Sequence, residues 1–230
     1  MLILRNVVKQ VGRFRLGPVS LEVGDETLVV LGVNGAGKTT LLNLIAGILE
    51  PDDGEIILNG QLLNGEPIER RGVGYIFQRP YLFPHMSVKE NIEYGLRRGE
   101  ENNIEKFHYV VSLLGIENIL NRDVRGLSGG EAQKVALART LVSTPKILLL
   151  DEPLVHLDAV ARRELLHELK HVLKVLKIPK IYVTHEAREA RVVADRIAVL
   201  DSGKVVEEGS REELLKNPKT SYLRRFLEEE

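Results

Sequence analysis

Residues 32–39 read Gly32-Val33-Asn34-Gly35-Ala36-Gly37-Lys38-Thr39, an order of residue types suited to holding phosphate. Small residues let successive backbone N–H groups converge on an anion. Lys38 adds a compact positive charge for terminal phosphates, and the Thr39 hydroxyl, with Thr40 next to it, is placed to ligate Mg2+. Far along the chain, Asp151 closes an apolar run that begins at Lys146, and Glu152 follows at once. A carboxylate at the end of a strand beside a phosphate loop can hold Mg2+ through its waters, and the next one can polarise an attacking water. Taken alone, Asp151-Glu152-Pro153 is equally a strand stop. The third feature is Leu127-Ser128-Gly129-Gly130-Glu131. Ser128 and Glu131 have the spacing of a capping box. Two glycines at a helix start weaken it by about 1 kcal/mol each relative to alanine. They also bare N–H groups at the positive end of a helix dipole, which is an anion site.

These residues need scaffolding, and the flanking sequence supplies it. Glu26–Leu31 is a short apolar run that reads as a buried strand entering the loop, and Thr39–Gly47 reads as the helix leaving it. Residues 2–30 are expected to be largely β, with further strands over Gly54–Gly60, Val73–Phe77, Lys146–Asp151 and Lys180–Thr184. A hairpin is expected from Arg196–Leu200 and Lys204–Glu207 across Asp201-Ser202-Gly203. Between about 84 and 143 the character turns helical: a capped helix from Ser87 towards Leu96, then Ile104–Leu114 and Gly130–Val142. Asp158–Lys177 is a long amphipathic helix with Leu165, Leu166, Leu169, Val172, Leu173 and Leu176 on one stripe. Ser210 caps another helix, and Glu228–Glu230 is expected to fray. The pattern is an α/β protein: a phosphate-loop core with a mixed sheet and flanking helices, an antiparallel β subdomain, and an inserted helical subdomain. The core is expected over 1–83 and 144–230, the insert over 84–143.

Bulk composition excludes several classes. The chain has 230 residues, 43% hydrophobic and 28% charged, as expected of a globular protein with a sizeable core. A net charge of −1 provides no basic field for nucleic acid, so no nucleic-acid partner is expected. The absence of cysteine excludes disulfides, cysteine zinc sites and a thiol nucleophile. No run approaches the roughly 20 apolar residues of a membrane helix, and the first residues are too short a stretch for a signal peptide. The expected location is the cytoplasm, with any work at a membrane done by docking to another protein.

With these motifs in place, the chain resembles the ATPase subunit of ABC transporters. Leu127–Glu131 is similar to that family's signature motif, continued by Gln133–Arg139, and six motifs in family order span almost the whole chain. The resemblance implies that Gly32, Asn34, Gly35, Ala36, Gly37, Lys38, Thr39 and Thr40 hold ATP, and that Thr39, Gln78 and Asp151 hold Mg2+. It assigns hydrolysis to Glu152 and His185 with Lys38. Ser128, Gly129, Gly130, Glu131 and Asp158 would complete the site across a head-to-tail homodimer. Two departures stand out. Val11 occupies the place of the aromatic that stacks on adenine, so either Phe14, three residues on, substitutes or the base is held more weakly. His156 occupies a position where the family usually has a small residue. The stretch Glu69–Gln78 followed by Leu82–His85 and Asn91–Gly95 resembles the importer branch. It implies an integral membrane permease docked near 77–87, an external solute-binding protein, and a peripheral position on the inner face of the membrane. The favoured cargo is an oxyanion, molybdate or tungstate first. The alternatives are another solute (sugar, polyamine or iron), or a family member with no membrane partner.

Overall fold

A computed structural model describes residues 1–96 and 103–228. Its centre is a six-stranded sheet in the order β10-β9-β3-β8-β7-β6. These strands are β3 (Thr27–Leu31), β6 (Val73–Ile76), β7 (Ile147–Asp151), β8 (Lys180–Val183), β9 (Arg196–Asp201) and β10 (Lys204–Ser210). Only the β9–β10 hairpin is antiparallel. Every residue of β3, β7 and β8 is buried, as parallel strands covered on both faces require. Alternate residues serve opposite faces. Leu28, Val30, Leu149, Val183 and Leu200 pack towards α1 (Lys38–Ala46) and a second sheet. Val29, Leu31, Leu148, Leu150 and Tyr182 pack towards the other helices.

The second sheet is antiparallel, in the order β2-β1-β4-β5, from β1 (Leu2–Val11), β2 (Phe14–Val23), β4 (Asp53–Leu58) and β5 (Gln61–Leu62). Val11 and Phe14 face each other where β1 turns into β2. The described residues between β6 and β7 include α2 (Val88–Glu93), α3 (Asn103–Leu114) and α4 (Gly129–Leu141). After β7 come α5 (Ala159–Val175), α6 (Ala187–Val193), α7 (Arg211–Lys216) and α8 (Ser221–Glu228). Both capping boxes exist: Ser87 with Glu90 opens α2, and Ser128 with Glu131 opens α4. The helix from Ser87 stops at Glu93 rather than reaching Leu96. That from Asp158 stops at Val175, so Leu176 is an extended, half-buried residue instead of the last member of the stripe. Glu229 and Glu230 lie outside the described residues. No described helix is long and apolar enough to cross a membrane.

The phosphate-loop helix is anchored at its far end by Arg71, which is only 1% exposed. Arg71 donates to the carbonyl of Leu44 at 3.0 Å and of Glu66 at 2.8 Å, and pairs with Glu50. A guanidinium here satisfies carbonyls at the negative end of α1. Gly47, the left-handed cap, has to be glycine, because a Cβ would sit 2.4 Å from Arg71 Nε. Arg71→Met is expected to cost about 2–3 kcal/mol, since charged hydrogen bonds to buried carbonyls are lost. That corresponds to a melting temperature roughly 5–10 °C lower, checked by calorimetry.

Candidate functional site

Four loops leave the sheet at the C-terminal ends of neighbouring parallel strands. The phosphate loop follows β3, His185 follows β8, Glu152 follows β7 and Gln78 lies just beyond β6. Register aligns these ends: Val30 is opposite Val183, Val183 opposite Asp151, and Leu150 opposite Ile76. Crevices outside the carboxyl ends of parallel strands are where such sheets bind ligands.

The result is a cleft of about 430 Å³ lined by Phe14, Asn34, Gly35, Gly37, Lys38, Thr39, Thr40, Gln78 and Glu152. Gly32 and Ala36 belong to the same loop, and Gly32 borders the neighbouring hollow beside His185. Gly37 caps α1 at φ 106°, and a Cβ there would lie 2.8 Å from Phe14 Cζ. Close approach of the β2 ring to the loop therefore requires glycine. Lys38 is buried and donates to the carbonyls of Gly32 at 2.7 Å and Val33 at 3.2 Å. Burial lowers its pKa, while the nearby Glu152 and Asp151 carboxylates oppose that fall.

Asp151 is 5% exposed, and burial pushes its carboxyl pKa up against the pull of Thr39 and Tyr75. Tyr75 donates to Asp151 Oδ2 at 3.3 Å, and Asp151 Oδ1 is buried with no hydrogen-bond partner. A buried, unpaired carboxylate oxygen beside the Thr39 hydroxyl and the phosphate loop fits a hard divalent cation. Glu152 has a left-handed backbone, φ 47°, unusual for a residue with a Cβ. Its Oε2 accepts from Gln78 Nε2 at 3.2 Å and lies 3.1 Å from His185 Nδ1.

Sequence-expected residues do not all converge. Ser128, Gly129, Gly130, Glu131 and Asp158 are absent from the cleft lining. Ser128 caps α4 and Asp158 caps α5, the latter accepting from the backbone N–H groups of Val160 and Ala161 at 3.0 Å. The two starts abut, because a Cβ on Gly129 would come within 2.9 Å of Leu157 Cδ2. His156 is exposed. At the other end of α4, Arg139 donates to the carbonyls of Pro80 and Tyr81 at 3.1 Å each and lies over the Phe83 ring at 5.1 Å.

Tyr75 escaped the sequence reading; besides reaching Asp151, its ring stacks on Phe77 at 4.2 Å, and the two line a groove beside Arg139 rather than the nucleotide cleft. Tyr222, Arg225 and Phe226 of α8, which line the hollow of about 400 Å³ beside His185, also went unnoticed. Nothing local in the sequence brings them there.

Strand-end loops, a glycine cradle and paired carboxylates define the fold and cleft of a phosphate-loop NTPase. The chain belongs to the ABC transporter family, whose description fits residues 16–155. It is 44% identical over 220 residues to the molybdate/tungstate import ATP-binding protein of Archaeoglobus fulgidus, covering 95% of this chain and 91% of that protein. It is 41% identical to a sulfate/thiosulfate import ATP-binding protein of Synechocystis, covering 99% of this chain and 66% of the relative. Among solved structures, a dimeric, post-hydrolysis ATP-binding cassette bound to ADP and Pi superposes with a TM-score of 0.76 at 29% identity, covering 91% of this chain and 98% of that one.

Proposed function

We propose that the chain hydrolyses ATP to power import of a small oxyanion, molybdate or tungstate first, through a separate membrane permease fed by an external binding protein. The observation that carries the hydrolytic reading is the convergence of Gln78 and His185 on Glu152 Oε2 at the mouth of the phosphate loop. The relatives named as oxyanion import proteins support the cargo.

In this reading the loop amides of Gly35 and Gly37 cradle the phosphates, Lys38 neutralises their charge, and Phe14 supplies a face for the base. Thr39, Gln78 and Asp151 would hold Mg2+, which when bound spreads the charge of the β- and γ-phosphate oxygens. Glu152 orients the attacking water and accepts its proton, and Gln78 and His185 fix the carboxylate for that task. His185 also stands beside Gly32 and Asn34, where it can meet the terminal phosphoryl group. Among the described residues, Lys38 is the one cationic side chain that lines the cleft. The amides of Ser128–Gly130 from a second copy would complete it, so two copies close head to tail around two ATP molecules. ATP binds the closed pair better than the open one, and that difference drives closure.

In the same reading the permease would dock on the groove of about 500 Å³ lined by Tyr75, Phe77, Pro80, Tyr81 and Arg139. Tyr81 is 64% exposed there, whereas Leu82 turns partly into the helical core. The test is co-purification from detergent-solubilised membranes followed by reconstitution in vesicles. A polytopic partner should co-elute, and ATP hydrolysis should rise when the binding protein carries molybdate or tungstate. Recovery of the chain without a membrane partner would favour the reading as a family member that works alone; stimulation by a sugar, polyamine or iron instead would replace the cargo.

A further inference from the structure

Glu152 and His185 meet through their side chains, but they stand on separate loops, after β7 and after β8. One side chain joins the continuations of both. Arg162, on the first turn of α5, donates through Nη1 to Glu186 Oε1 at 2.8 Å. Glu186 is the residue next to His185. Through Nη2 the same guanidinium donates to the carbonyls of Val155 at 3.3 Å and Leu157 at 3.2 Å. Those carbonyls belong to the turn that leaves Glu152, in which the Val155 N–H donates back to the Glu152 carbonyl at 3.3 Å.

The contacts close a ring: Glu152, the 153–157 turn, Arg162, Glu186, His185 and back to Glu152. Glu186 begins α6 without using its carboxylate as a cap, so that group is committed to Arg162. The His185 side of the ring has its own fixed floor. Thr184 Oγ1 accepts from the Glu186 N–H at 3.0 Å and donates to buried Glu189 at 2.8 Å. A planar fork that binds a carboxylate and two carbonyls at once fixes direction as well as distance.

We infer that Arg162 is a positioning residue for hydrolysis, holding the Glu152 and His185 loops in register so that the base and its imidazole partner stay in contact. The inference rests on the reading of Glu152 as the base. Arg162 itself lines no part of the nucleotide cleft. Its loss should therefore slow turnover without weakening ATP binding.

The experiment compares ATP hydrolysis by the wild-type protein with Arg162→Gln, Arg162→Lys, Glu186→Gln and the Arg162→Gln/Glu186→Gln double variant. Misplacing a base by a fraction of an ångström is expected to lower kcat about tenfold in Arg162→Gln with KM for ATP within about twofold. Arg162→Lys keeps the charge but loses the fork, and should recover part of the rate. The double variant should be no slower than Arg162→Gln, because both changes break the same ring. If Arg162→Gln fails to fold, Glu186→Gln alone decides, with kcat expected to fall about fivefold at unchanged KM. Unchanged kcat, or losses that multiply in the double variant, would overturn the inference. Glu152→Gln, assayed in parallel, separates the two readings. Full turnover there removes the base assignment, while loss there with normal Arg162 variants removes only the role of Arg162.

Discussion

Glu152→Gln is expected to lower ATP turnover by about 10²–10⁴-fold, the range by which a positioned general base accelerates proton transfer. Glutamine keeps the shape of the side chain and can still engage Gln78 and His185, so the cleft should remain intact. It removes the negative charge and the proton-accepting ability. ATP binding should be retained or tightened, because a carboxylate is no longer held against the incoming phosphates. A variant that binds ATP and cannot destroy it should also stay in the closed, two-copy state. Size-exclusion chromatography with ATP and Mg2+ should then show a species of twice the monomer mass, which dissociates when ATP is withdrawn. A Glu152→Gln protein that remains monomeric at saturating ATP would count against the shared site. Adding Gly130→Asp, which sets a carboxylate at the start of α4 where a Cβ meets only Ala161 at 3.9 Å, should dissolve the dimer without touching the monomer's own cleft.

Lys38→Ala is expected to abolish measurable hydrolysis, with kcat/KM reduced by at least 10²–10³-fold, as when a preorganised charge is taken from a phosphoryl-transfer site. The same change removes from Asp151 and Glu152 the ammonium they interact with. ATP would then meet two carboxylates and no ammonium, so nucleotide affinity should fall together with the rate. Lys38→Arg should not rescue, because at 6% exposure the space between the Gly32 and Val33 carbonyls fits an ammonium rather than a guanidinium fork. Isothermal titration with a non-hydrolysable ATP analogue separates the two losses. Wild-type affinity in Lys38→Ala would remove Lys38 from the phosphate site.

The parts of this molecule that were legible in sequence are those governed by local physics. The glycine cradle, the carboxylates ending β7, both capping boxes and the buried parallel strands follow from residue types within a few positions of one another. β1 was harder, because Asn6, at φ 49°, shifts the register between Leu4 and Val7 and breaks the two-residue alternation. α6 gave no amphipathic signal, since one of its few buried residues is Glu189, which accepts from Tyr182 and Thr184. α8 does carry a helical period, with Tyr222, Leu223, Phe226 and Leu227 on one face, but it is only two turns long beside a charged end. Nothing local gives Arg71 or Arg162 its role, which depends on segments brought beside it only by folding. The signature turn is the opposite case, obvious in sequence and without a partner in its own cleft.

α4 joins two surfaces at opposite ends of one helix. Its 13 residues span about 20 Å. One end presents the Ser128 turn, and the other is clamped by Arg139 to the Pro80 and Tyr81 carbonyls and the Phe83 ring. A straight helix resists compression, so a shove against the Tyr81 turn would arrive at Ser128 as rigid travel, with no bond broken on the way. The same rod works in reverse. A load on the Ser128 turn would then be felt at the Tyr81 groove, so the chain would carry mechanical force in either direction along this strut.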